Sequence, residues 1–136
     1  MTTIVVGYVA RPEGRAALRR AVGEAKLRSA KLLVVNSNKG GSLHDMDAAV
    51  ETDADLEQVR VDLSAAGVDY EVRAFVRGQE APDDLLQVAE ETGAELIVIG
   101  LRKRTPVGKL ILGSNAQRIL LEARCPVLAV KAESEG

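Results

Sequence analysis

The stretch ELIVIGLRKRTPVGKLILGSNAQR, residues 95–118, gathers the side chains best suited to chemistry in this chain. A short apolar run, Leu96 to Ile99, is stopped by Gly100. Cations follow at Arg102, Lys103, Arg104 and Lys109, in a segment broken by Thr105-Pro106 and Gly108. Gly113 then precedes Ser114-Asn115 and a new helical pattern. This order predicts a buried strand, a glycine-hinged basic loop and a helix start. Free backbone N–H groups at such a start, with cations nearby, suit an anion, and phosphate is the natural candidate. The loop is not of the Walker A kind: Gly100 to Gly108 is too long a spacing, and Leu110 stands where a magnesium-holding hydroxyl would be. No Gly-x-Gly-x-x-Gly follows the first apolar run, so the dinucleotide-binding fingerprint is missing. Taken alone, Gly100 and Gly113 are as readily explained by unusual backbone angles, and the cations by a solvated loop.

Other reactive side chains form no constellation. His44 is the sole histidine and reads as a solvated residue beside Asp45 and Asp47. It would have to supply any Ser–His or Cys–His pair by itself. Asp83-Asp84 and Glu90-Glu91 are adjacent pairs, which point different ways on a helix and so wet the surface and bias the dipole. Cys125 is the only cysteine, which excludes an internal disulfide and a cysteine-rich metal site. Its apolar neighbours Pro126-Val127-Leu128 predict a buried, inert thiol. No enzyme is expected, and slow metal-assisted ATP hydrolysis is the weakest reading, since no general base lies near the loop.

At 136 residues the chain is long enough for one domain, read here as 1–132 with a polar tail at 133–136. Hydrophobic residues at 46% and charged ones at 28% are ordinary for a globular protein. Aromatics are only 2%, which leaves a Leu/Val/Ile/Ala core and little for base stacking. A net charge of −2 also argues against nucleic acid as a partner. The N-terminal run has no basic residues before it and is too short for an anchor, so no membrane role and a cytoplasmic setting are expected.

The elements that must position the basic loop follow from periodicity. Residues 3–9, TIVVGYV, form a continuous apolar run, as in a strand covered on both faces. Pro12 opens a helix reaching about Ser29, with Ala17, Leu18, Ala21, Val22 and Ala25 at helical spacing. Leu32 to Val35 is a second buried strand, and 36–47, with Gly40-Gly41, reads as a loop. A helix over 48–66 carries Leu56, Val59 and Leu63 and stops at Gly67. Alternation over 68–76 puts Val68, Tyr70, Val72 and Ala74 on one face of an edge-like strand. Pro82 starts a third helix with Leu85, Leu86 and Ala89 inward, closed by Gly93. A fourth helix from Ser114 carries Ala116, Ile119 and Leu120, with Ser114 and Gln117 spaced as a capping box. Pro126 to Val130 is the last strand. The βαβαβαβαβ alternation predicts an α/β fold with a parallel sheet between helix layers, and ligands beyond the strands' carboxyl ends.

The alternation, the glycine spacing and the ending VGKLILGSNAQRILLEARCPVLAVK resemble the universal stress protein family over nearly the whole length. The resemblance implies a single-domain, three-layer sandwich with a five-stranded parallel sheet of order 3-2-1-4-5 and four helices. Nucleotide-binding members share Gly-x2-Gly-x9-Gly-Ser/Thr, whose glycines and hydroxyl fall on Gly100, Gly113 and Ser114 here. Lys103 replaces the middle glycine, and Val9 stands where such members carry an aspartate. The lysine leaves two readings open, a side chain that blocks the loop or an ammonium that reaches phosphate.

On this resemblance, Gly100, Arg102, Lys103, Gly108, Gly113, Ser114 and Asn115 surround the phosphates of ATP or AMP, magnesium accompanying ATP. Asn36-Ser37 faces the adenine and Val9-Ala10 floors the pocket. An apolar edge at Val127, Leu128, Ala129 and Val130 implies a homodimer, and unnamed client proteins complete the expected partners. The implied role is regulation in a stress response; the alternative is an interaction module of the same fold that binds no nucleotide.

Overall fold

The computed structural model describes residues 1–38, 45–76, 81–102 and 112–132. Among the described residues nine elements follow one another: β1 (Thr3–Gly7), α1 (Pro12–Arg28), β2 (Lys31–Asn38), α2 (Asp45–Ala66), β3 (Tyr70–Val76), α3 (Ala81–Thr92), β4 (Leu96–Leu101), α4 (Ser114–Glu122) and β5 (Val127–Lys131). The strands form one sheet in the order β3-β2-β1-β4-β5, every pair parallel. The expected class, sheet order and helix number therefore hold. The order reverses between β1 and β4, which places the ligand-prone crevice of an open sheet at their carboxyl ends.

Side-chain alternation divides the core into two layers. On one face Ile4, Val6, Leu32, Val34 and Val98 pack with Ala17, Ala21 and Ala25 of α1 and Leu56, Val59 and Leu63 of α2. On the other, Val5, Leu33, Val35, Ile97 and Ile99 meet Leu85 and Val88 of α3 and Ile119 of α4. The alanine stripe lets α1 settle close to the sheet. Left-handed residues end three helix segments: Ser29 (φ 52°), Gly67 (φ 75°) and Gly93 (φ 61°). Among the described residues no helix is long and apolar enough to cross a membrane.

Several boundaries differ from the sequence reading. β1 ends at Gly7, not at Val9. β2 continues through Asn38 because β3 pairs with it as far as Asn38 opposite Val76. α2 starts at Asp45. Gly100 does not stop β4 but lies inside it, opposite Val130, and the strand runs on to Leu101. Ala74 is exposed, while Phe75 packs into the second layer. Leu86 is only partly buried, and Val88 takes the inward place on α3. Leu120 is 40% exposed, so Ile119 carries the apolar face of α4. Asp84 is no surface residue: it is buried in the first turn of α3, where the helix dipole favours its charge. Gly40, Gly41, His44, Lys103 to Lys109 and the 133–136 tail lie outside the described residues.

Candidate nucleotide cleft at the carboxyl edge of the sheet

After β1 the chain leaves the sheet but stays tied to it. The Tyr8 N–H donates to the Val35 carbonyl at 2.9 Å, and the Asn36 side-chain amide donates to the Tyr8 carbonyl at 3.0 Å. The Tyr8 hydroxyl crosses to the other side and donates to the Asp55 carboxylate on α2, with Arg15 3.8 Å from that carboxylate. Burial, then the hydrogen bond and charge of Asp55, push the tyrosine pKa above its usual value. The Arg11 N–H closes on the Val9 carbonyl at 2.8 Å, and α1 begins with Pro12 in its first turn.

Two glycines allow the next approach. A Cβ at Gly14 would lie 1.8 Å from the Val9 carbonyl oxygen, and one at Gly100 would lie 2.1 Å from the Glu13 carbonyl oxygen. The β1–α1 turn, the first turn of α1 and the end of β4 are thus in backbone contact. Glu13 is directed between them, only 9% exposed, with Arg102 Nε 3.7 Å from its carboxylate.

α4 closes the arrangement. Gly113 is its N-cap, in extended conformation, and its carbonyl accepts the Gln117 N–H at 2.9 Å. Among the described residues no side chain caps the helix, so the expected Ser114–Gln117 box is not formed: Ser114 is already the first helical residue. The first N–H groups of α4 therefore lack intrahelical partners. Across the helix, Arg118 donates to Asp83 of α3, fixing α4 beside α3.

A cleft of about 240 Å³ results, in which Val9, Gly100, Arg102, Gly113, Ser114 and Asn115 meet. Beside it is a hollow of about 150 Å³ with a more apolar wall, where Val35, Ser37, Pro82, Leu85 and Ile99 contribute. Val9, Glu13, Gly100, Asn115 and Ala116 line both. Two sequence-selected residues are placed elsewhere. Asn36 lines neither hollow, because strand alternation sends it to the α1/α2 face while Val35 and Ser37 face the hollow. Ala10 is exposed and lines neither. Lys103 and Gly108 lie outside the described residues.

Glu13, Gly14 and Tyr8 were not singled out by the sequence reading, although a glycine directly after Pro12-Glu13, within a helix's first turn, is a readable sign of close backbone approach. At the opposite end of the sheet, Cys125 is partly buried, and burial raises its pKa, so the thiol form is favoured. Among the described residues no group of three or more His, Cys, Asp or Glu could hold a metal ion.

Comparison with known proteins agrees with this architecture. The model of the universal stress protein family matches residues 1–131. A universal stress protein of Mycolicibacterium smegmatis is 48% identical over 128 residues, covering 94% of this chain and 96% of that protein. The solved universal stress protein from Archaeoglobus fulgidus is similar with a TM-score of 0.80 and 38% identity, over 96% of this chain and 99% of that one. A structure of the universal stress protein from Archaeoglobus fulgidus in complex with dAMP gives a TM-score of 0.71 and 34% identity, over 96% and 98%.

Proposed function

Because the chain belongs to the universal stress protein family, we propose that it is a cytoplasmic, homodimeric regulatory protein that takes ATP or AMP into the cleft between β1, β4 and α4. One observation carries this reading. The carboxyl ends of β1 and β4 and the uncapped start of α4 converge on one hollow, with Val9, Gly100, Arg102, Gly113, Ser114 and Asn115 around it. The N–H groups of Ser114 and Asn115 and the Arg102 guanidinium receive the phosphates. The neighbouring apolar hollow, with Val35 and Ser37 in its wall, receives the base. That a similar protein binds dAMP supports an adenine nucleotide as the ligand.

The protein acts by binding, not turnover, and magnesium enters only with ATP. The single, partly buried cysteine fits a reducing compartment. Occupancy of the cleft shifts a conformational population and so selects client proteins. Calorimetric titration of nucleotide-stripped protein tests the ligand: saturable heat with one nucleotide per chain is expected. An absence of heat at millimolar ATP and AMP, from folded protein, would remove it.

A second reading has its own observation. Val9 is apolar and 40% exposed in the cleft, and the base hollow of about 150 Å³ is small beside typical ligand pockets of about 300 Å³ or more. On that reading the protein is an interaction module without nucleotide. Val9→Asp would then create binding that the parent lacks.

A further inference from the structure

A nucleotide spans base, sugar and phosphate, so a side chain that lines both the base hollow and the phosphate cleft meets the sugar. Among the described residues five line both: Val9, Glu13, Gly100, Asn115 and Ala116. Only Glu13 and Asn115 among them have polar side chains, and Asn115 is exposed on the first turn of α4. Glu13 is different. It is nine-tenths buried yet makes no hydrogen bond among the described residues, and its cation partner Arg102 stands 3.7 Å off, beyond hydrogen-bond length. Its placement is fixed by the backbone, since its carbonyl and Cβ rest on Gly100 and the Val9 carbonyl rests on the next residue, Gly14.

We propose that Glu13 is the sugar-recognising residue of this cleft, its carboxylate accepting hydrogen bonds from the vicinal 2′- and 3′-hydroxyls of a ribonucleoside. The inference rests on the nucleotide reading above. An ionised carboxylate is acceptor-only and has two oxygens, which matches a diol of two O–H donors. Arg102 offsets its charge, so the carboxylate does not drive phosphate out of the adjoining cleft. Buried polar groups discriminate strongly because a ligand lacking the matching hydroxyl leaves them unpaired. Val9, apolar at the turn, cannot share the task.

The test compares AMP with 2′-deoxy-AMP and 3′-deoxy-AMP by calorimetry on the wild type and on Glu13→Gln. Adenosine and 2′-deoxyadenosine serve as phosphate-free controls. The wild type is expected to prefer each diol-bearing ligand by about tenfold to a hundredfold, the range of a charged hydrogen bond lost from a buried group. In Glu13→Gln that ratio falls to within about threefold, whatever happens to the absolute affinity, which Arg102 and phosphate also influence. The wild-type comparison needs no variant and so stands even if Glu13→Gln folds poorly. A wild-type ratio near one with AMP bound overturns the role of Glu13 and leaves the nucleotide reading intact. A ratio that survives in folded Glu13→Gln assigns the discrimination to another residue. No binding of any of these ligands, nor of ATP, removes both readings together.

Discussion

At Gly14 and Gly100 the distance between two backbones, rather than a special dihedral angle, determines the residue. An added methyl would sit 1.8 Å from the Val9 carbonyl oxygen at the first position and 2.1 Å from the Glu13 carbonyl oxygen at the second. Neither obstacle is the end of a flexible side chain, so the helix start or the strand end must move. Gly14→Ala and Gly100→Ala are each expected to lower unfolding free energy by about 3 kcal/mol, the upper range for overpacking, and to widen the cleft. Gly23 is the control on the same helix, because a Cβ there meets nothing within 4 Å. Gly23→Ala is expected to raise stability by about 0.5–1 kcal/mol through helix propensity and a less flexible unfolded chain. Urea denaturation of the three variants checks the contrast. Equal effects at all three positions would show that the backbones are not in contact.

The elements around the site are coupled through Tyr8. From the turn after β1 its hydroxyl reaches Asp55 on α2, while its carbonyl is held by Asn36 on β2. Removing the donor in Tyr8→Phe is expected to cost about 1 kcal/mol at pH 8. The pH dependence follows from the raised pKa of the hydroxyl, caused first by burial. The folded protein holds this proton more tightly than the unfolded chain does, so the contribution is complete below about pH 10 and declines as pH rises beyond it. The stability gap between wild type and Tyr8→Phe should therefore narrow above pH 10, read as urea midpoints at two pH values. A gap that widens there would contradict the assignment. This coupling also explains what the sequence could reveal. Apolar runs and helical spacing were enough for the alternation of elements, because each depends on near neighbours. The continuation of β2 past Val35 depends on β3, and the role of Gly100 depends on the arrival of the distant Glu13 carbonyl, so neither has a local signature. Asn36 was a different matter: strand parity already set it opposite Ser37, and the alternation could have been read past the end of the apolar run.

For the whole molecule, the open edge of the sheet at β5 is where the proposed homodimer is tested. The Ile97 N–H bonds to the Pro126 carbonyl and the Ala132 N–H to the Leu101 carbonyl. The parallel ladder therefore turns the even-numbered residues of β5 toward β4 and leaves the N–H of Ala129 facing outward. Val127 to Val130 are only partly buried, an apolar edge of the kind that pairs with another chain. Ala129→Pro removes an outward donor without breaking a bond to β4, so it is expected to halve the mass measured by light scattering while the far-ultraviolet circular dichroism is unchanged. A wild type that is already monomeric at tens of micromolar would dismiss the strand-paired dimer. The central claim concerns the other end of the sheet, where β1, β4 and α4 meet. Backbone amide NMR shifts during titration with AMP report on that location residue by residue. The amides of Tyr8–Val9, Gly100–Arg102 and Gly113–Ala116 should move in concert and saturate, while those of Gly93 and Cys125 at the far end stay in place; shifts confined to the far end, or none at millimolar AMP, would contradict the cleft as the nucleotide site.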